Sequence, residues 1–423
     1  MNERIVVIES FIRAPRAEEQ SWSPVNQLFG GGKMKIFALF SAGLMLFLGV
    51  GFGISYSADV TAIKFANISC QSGPCAVWGM GISRAVRMAA EDIGTFVVAG
   101  KSYKWEVIDY DHKYNPSEAL SALNRAIFTD NVRYTIIQGA GVHPPLIPLL
   151  RENKILNFGF MCAGKKFTNP DNPTTFRNAG SSDTLIRNFM ADIYRIYKMK
   201  RVATIAPNDE MGRADVEILH ETHKDFKLEP TIVAEEFYER ATVDFYPALK
   251  RMLAKNPDMI FTDAAPTGTI ALIAKQAREL GFKDIIFEPT GVLEAKVLFE
   301  TAGKGSDNIL VLRMWPKAPT KLYADIERRY EEKYREPMAS VLPEGYAVVP
   351  WATEAMKKAG TVESGKVIPV LAETPFENHP FGPAHWGGEK FYGVKRQIIY
   401  PTPMSMLTDG KWKLVMVKEG KLD

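Results

Sequence analysis

The sequence predicts an α/β protein built as two successive parallel-sheet lobes. Three observations carry this expectation. Short apolar strands alternate with amphipathic helices from Asp59 onward, the alternation restarts at Val202, and 423 residues suffice for two separate cores. The composition is that of an ordinary globular chain, 46% apolar and 24% charged. The formal net charge is only +3, and no Lys/Arg block is interleaved with aromatics, which argues against nucleic-acid binding.

The elements follow in order. Thr61–Ile68 reads as a strand leading into the turn SCQSGPC. Ile82, Ala85, Val86, Ala89 and Ile93 recur at spacings of three and four, so a helix with one apolar face follows. Trp105–Tyr110 is the next strand, and Asn115-Pro116 starts a helix in which Glu118 can reach back to the Asn cap. Strands are expected at Tyr134–Gln138 and Ile155–Phe160, with a short helix at Pro145–Arg151 between them. The second run reads strand at Val202–Ala206, 232–237, 259–262 and 285–287, with helices near 214–223, 245–253 and 267–280. Further on come helices at Leu322–Tyr334 and Tyr346–Ala359, then two strands joined by a turn at Asp409-Gly410. Right-handed crossovers put the loops after the strand C-termini on one edge, where ligands bind. Those loops are 69–79, 139–144, 161–166, 207–212, 263–267 and 288–291.

The N-terminal region points to export. Lys33 and Lys35 flank Met34, an uncharged apolar run spans Ile36–Ile54, and the small residues of SYSAD follow. Residues 34–58 read as a secretory signal peptide rather than a membrane anchor, because Gly and Ser interrupt the run and a cleavage-like motif ends it. Residues 1–33 read as an upstream extension, with Met34 the more natural initiator. Export implies an oxidising setting outside the cytoplasm.

Several segments together resemble the Leu/Ile/Val-binding protein family, the type I periplasmic solute-binding proteins of ABC importers. They are IKFANISCQSGPCAVWGMGISRAVRMAAEDIG, WEVIDYDHKYNPSEAL, VATIAPNDEMGRADVE, VDFYPALKRMLAKNPDMIFTDAA and IAKQARELGF, occurring in the family's order along nearly the whole mature chain. The resemblance implies two Rossmann-like lobes joined by a three-strand hinge. One lobe would take 59–180 plus 313–394, the other 181–312 plus 395–423. It also implies a monomer that closes around a small ligand and serves a membrane permease and its ATPases, without a cofactor.

The resemblance further implies a set of ligand-binding residues. Ala140, Gly141, Val142 and His143 match one carboxylate-holding loop, and Met161, Cys162, Ala163 and Gly164 match the second. Neither loop carries the family's Ser or Thr, so backbone N–H donors would carry more of the contact. Trp78 stands at the aromatic of the opening loop, Met211 replaces an aromatic before Gly, and Pro266 and Thr267 stand where tyrosines are frequent. Thr290 falls at the acidic residue that balances a ligand ammonium, with Glu288 and Asp263 nearby in sequence and each expected at the surface. The expected ligand is therefore a small carboxylate or amide with an apolar or aromatic body, with an aliphatic amino acid as the second candidate. A sensor domain anchored by an uncleaved N-terminal helix is the alternative function.

Catalytic and metal motifs are weak. There is no G-x-S-x-G elbow or P-loop, and His220 and His223 in LHETH are spaced by three with no third ligand following. His112 reads as a turn residue, and His143 as a ligand contact, loop packing or a solvent-facing residue. Cys70 and Cys75 are candidates for a small disulfide ring, for bridging to Cys162, or for remaining free thiols.

Overall fold

The computed structural model describes residues 60–420, apart from Pro74, Ala163, Asp263, Ala264, Thr290, Gly291, Val292 and Val341. The expected extension and signal peptide, and the candidates Ala163, Asp263 and Thr290, lie outside the described residues.

The chain opens with β1 (Thr61–Ser69), α1 (Ala76–Ile93), β2 (Thr95–Val98), β3 (Lys101–Asp111), α2 (Pro116–Asn124), β4 (Tyr134–Gln138), α3 (Ile147–Glu152), β5 (Leu156–Phe160) and β6 (Thr175–Arg177). It continues through α4 (Ser182–Tyr197), β7 (Arg201–Pro207), α5 (Glu210–Phe226), β8 (Thr231–Tyr238), α6 (Tyr246–Leu253) and β9 (Met259–Thr262). Then come α7 (Thr267–Glu279), β10 (Ile285–Glu288), α8 (Ala295–Ala302) and β11 (Ile309–Leu312). The last part holds α9 (Lys321–Tyr334), α10 (Pro343–Ala359), α11 (Ser364–Ala372), β12 (His385–Gly387), α12 (Glu389–Tyr392) and β13 (Gln397–Ile399). A hairpin, β14 (Pro401–Thr408) and β15 (Lys411–Glu419), closes the described chain.

Two sheets result, ordered β12-β13-β6-β5-β4-β1-β3-β2 and β15-β14-β11-β10-β9-β7-β8. Their central strands are parallel, and β2, β12, β14 and β15 join antiparallel at the edges. Strands β4, β9 and β11 are buried along their whole length, as strands covered by helices on both faces must be. In the first sheet, α1 and α10 bury Ile82, Val86 and Trp351 on one face, and α2 and α3 bury Leu123 and Leu150 on the other. In the second, α6, α7 and α8 cover one face and α4 and α5 the other.

Local chemistry explains the helix starts. Asn115 accepts the Ser117 and Glu118 N–H groups at 2.8 and 3.1 Å, and Asp209 does the same for Met211 and Gly212. Glu118 thus contributes its backbone N–H at the cap, and the Asn115 N–H that its carboxylate was expected to take goes to the His112 carbonyl at 2.7 Å.

The chain passes between sheets three times: after β6, after β11 and at Tyr400 between β13 and β14. The sequence expectation put the last return at 395. Pairing of Gln397 beside Arg177 keeps β13 in the first sheet.

Candidate functional site

Each sheet has a topological switch point. Strand β1 lies between β3 and β4, and β7 lies between β8 and β9. The loops leaving β1 and β4 on one side, and β7 and β9 on the other, therefore splay apart and leave a crevice outside the strand ends. Both sets of loops contain sequence-expected candidates.

The loop after β1 is braced by hydrogen bonds. Cys70 donates its N–H to Gln138 Oε1 at 2.9 Å, and Gln71 N–H and the Ser72 hydroxyl reach Asp111 at 2.9 and 2.6 Å. Burial works against the Asp111 charge, but these donors outweigh it and hold the carboxyl below its usual range. No disulfide joins Cys70, Cys75 and Cys162. Burial pushes the Cys75 thiol up to about 11, with the Cys70 thiol adding to it, so both stay neutral at ordinary pH. Trp78 sits half-buried in the first turn of α1. Next to it, a side chain on Gly79 would strike the Cys70 carbonyl at 2.0 Å, so only glycine lets α1 pack this close to β1.

Four candidates divide between cleft and core in the loop after β4. Ala140 joins Met161 and Phe167 in a small apolar cluster, and Met211 of α5 packs against it from the other lobe. Val142 points the opposite way, into the core with Ile68 and Leu146. The His143 ring is also fully buried, 6.0 Å edge-on from Phe167, and burial drives its pKa down to about 3. Gly141 lies under the ring of Tyr114, a residue that sequence reasoning passed over.

The loop after β5 lies against cations. Arg313 donates through Nη1 to Cys162 Sγ at 3.3 Å, and Arg177 donates to the Gly164 carbonyl at 3.2 Å. The Cys162 carbonyl accepts both Ser182 N–H and its hydroxyl, at 2.8 and 2.9 Å. Beyond it, Lys165 pairs with Glu221 at 3.1 Å and Lys166 with Glu210, so this loop of the first lobe is fastened to α5 of the second.

On the second lobe, Asp209 pairs with Arg240, and the Tyr238 phenol feels Arg240, Asp209 and Glu288. Glu288, expected at the surface, is fully buried at the end of β10. The buried β10 strand, facing neighbours on both sides, carries its last residue inside with it. Pro266 is exposed at the start of α7, and Thr267 accepts the Glu294 N–H at 3.3 Å; neither belongs to the Ala140–Met161–Met211 cluster. His220 and His223 turn to different partners, Glu235 and Tyr194. Among the described residues no group of three His, Cys, Asp or Glu side chains is placed to hold a metal.

The missed residues (Tyr114, Arg177, Arg240 and Arg313) sit in turns or at strand ends without a local signal.

Two helix-covered parallel sheets, three crossings and facing switch-point loops define a two-lobed binding protein. Residues 62–398 match the family model described as periplasmic binding protein, and the chain belongs to that family; it is a solute-binding protein. The leucine-specific-binding protein of Salmonella typhimurium is 24% identical over 264 residues, 62% of this chain and 70% of that one. Among solved structures, a leucine-binding protein from Thermotoga maritima has a TM-score of 0.72 at 20% identity, covering 84% of this chain and 99% of its own. A solute-binding protein of an ABC transporter from Rhodopseudomonas palustris BisB5, in complex with 3,4-dihydroxybenzoic acid, has a TM-score of 0.71 at 20% identity, covering 85% and 98%.

Proposed function

We propose that the mature chain is a periplasmic monomer that captures a small carboxylate or amide with an apolar or aromatic body. It then delivers this ligand to the permease and ATPases of an ABC importer, performing no chemistry itself. The observation that carries this reading is the apolar cluster of Ala140, Met161 and Phe167 capped by Met211 from the opposite lobe. Such a surface takes an apolar ligand body and is completed only when the lobes are together. Contacts made in the closed state alone are what shift a two-state equilibrium toward it. The aromatic acid held by the Rhodopseudomonas neighbour is of this ligand class.

An aliphatic amino acid is the second reading, favoured by the buried Glu288 carboxylate at the end of β10. A buried acid there supplies the counter-charge that an ammonium needs. Calorimetric titration with benzoates, benzamide and aliphatic amino acids separates the two. The first reading expects binding of an aromatic acid or amide, and binding confined to amino acids overturns it. Cleavage of the residue 34–58 segment on export would support the transport role, and an intact apolar run in the exported protein would favour the anchored sensor instead.

A further inference from the structure

The turn after β3 is held in an unusual shape. Lys113 and Tyr114 both adopt the left-handed conformation, φ 50° and 58°, which side-chain-bearing residues avoid. Buried His112 fixes it: its Nδ1 accepts the Tyr114 N–H at 3.0 Å, while its Nε2–H donates to the Gln138 carbonyl at 3.0 Å. Burial keeps that imidazole neutral, as the acceptor role requires.

The result is that the Tyr114 ring lies on the loop after β4. Its Cε2 stands 2.7 Å from where a Cβ on Gly139 would be, and its hydroxyl oxygen 3.5 Å from the same point on Gly141. Gly139 itself is left-handed, φ 100°, so only glycine satisfies both demands there. The backbone donors of this region are largely engaged. Gly139 N–H goes to the Phe160 carbonyl, His143 N–H to Ala140 and Met161 N–H to Gly159. The Gly141 N–H lies close to the Tyr114 phenol oxygen and acts to lower its pKa against the effect of burial. That oxygen also lies within electrostatic reach of Cys75 and of the Asp209–Arg240 pair on the other lobe, so it stands at the crevice. Among the described residues the phenol proton has no acceptor.

We propose that Tyr114 determines the specificity of the cleft: its O–H, rather than the bare backbone of residues 139–143, donates to the ligand's acceptor oxygen. The Gly141 N–H polarises the phenol from behind, and the ring sets how far a ligand reaches toward the loop. A carboxylate or an amide carbonyl suits this donor. The inference rests on the cleft taking a small acceptor-bearing solute.

The test is Tyr114→Phe, which keeps the ring and removes the donor. In unliganded, isotope-labelled protein the Gly141 amide resonance moves, because the phenol oxygen beside it is gone. Titrated with 3,4-dihydroxybenzoate, benzamide and leucine, the variant binds whichever probe the wild type takes about tenfold to a hundredfold more weakly. An unmoved Gly141 amide, or a moved amide with unchanged affinity, overturns the proposal. If the wild type binds no probe while the amide still moves, the ligand reading fails and the Tyr114–Gly141 geometry stands.

Discussion

The crossing side of the molecule and its open rim join the same two lobes by opposite physical means. At the crossings, one buried network gathers all three connections. Glu344 takes Arg313 through both oxygens at 3.0 and 2.8 Å and accepts the Tyr400 hydroxyl, and Gly180 packs directly against those Arg313 and Tyr400 side chains. Gly180, Arg313 and Tyr400 come from the first, second and third crossings in turn. The Arg313 and Glu344 side chains are 3% and 0% exposed. Burial opposes the Arg313 charge, but Glu344 and Tyr400 outweigh it and hold the guanidinium protonated well above its usual range. At the rim, the Lys165–Glu221 and Lys166–Glu210 pairs are 39–58% exposed. Buried charges must stay paired, whereas exposed pairs contribute little and are screened by salt. The crossings therefore join the lobes through a buried, paired network, and the rim joins them through exposed pairs alone.

Breaking the crossing network has the largest expected effect. Glu344→Ala strands the buried guanidinium and lowers unfolding stability by about 3–5 kcal/mol in denaturant melts. Replacing Arg313 and Glu344 together with Met recovers most of that loss. A single substitution costing no more than a surface change would remove the network from the account.

The two buried histidines come next. His379 stacks on the crossing residue Tyr400 at 5.4 Å, while His143 lies behind the cleft loop, and burial pushes both down to about 3. Their folded pKa values lie below the unfolded value of 6.5, so the unfolded chain takes up protons first on acidification. Their stabilising contribution is complete above pH 6.5 and is lost as pH falls toward 3. Each contributes a slope approaching ~1.4 kcal/mol per pH unit, or about 2 kcal/mol between pH 7 and pH 5. His379→Gln should flatten the pH dependence of urea melts, and an unchanged slope would show that His379 is protonated in the native state.

The rim gives the smallest effect. Lys165→Glu with Lys166→Glu should weaken ligand affinity by about 1 kcal/mol at low salt and by less at high salt. Adding Glu210→Lys and Glu221→Lys should restore it. Failure of the swap to rescue would mean that the lysines act individually rather than as partners of α5.

Much of the fold was legible because burial writes itself into short runs. Tyr134–Gln138 and Met259–Thr262 are largely apolar stretches of strand length, buried throughout, and both were placed at their observed ends. Strands β2, β6, β11 and β12 were not foreseen and β13 was not separated from β14, since segments this short carry little period; β9 and β10, equally short, stood out by their place in the strand–helix alternation. The cleft was harder to read. Facing loops followed from strand order, but side-chain direction did not. Val142 and His143 lie one and two residues past Gly141, yet both side chains turn into the interior. Tyr114 depends on two consecutive left-handed residues that nothing in DHKYNP announces. The Arg313–Glu344 pair joins positions 31 residues apart, beyond any local pattern.

Capture without chemistry is tested most directly by denaturing the purified exported protein and identifying by mass spectrometry what it releases. The expected result is one small carboxylate or amide in near-equal amount to the protein. Returned to the refolded, stripped chain, it should bind one to one and be recovered unchanged. A chain that releases nothing and binds nothing, or that returns the molecule chemically altered, would contradict the account.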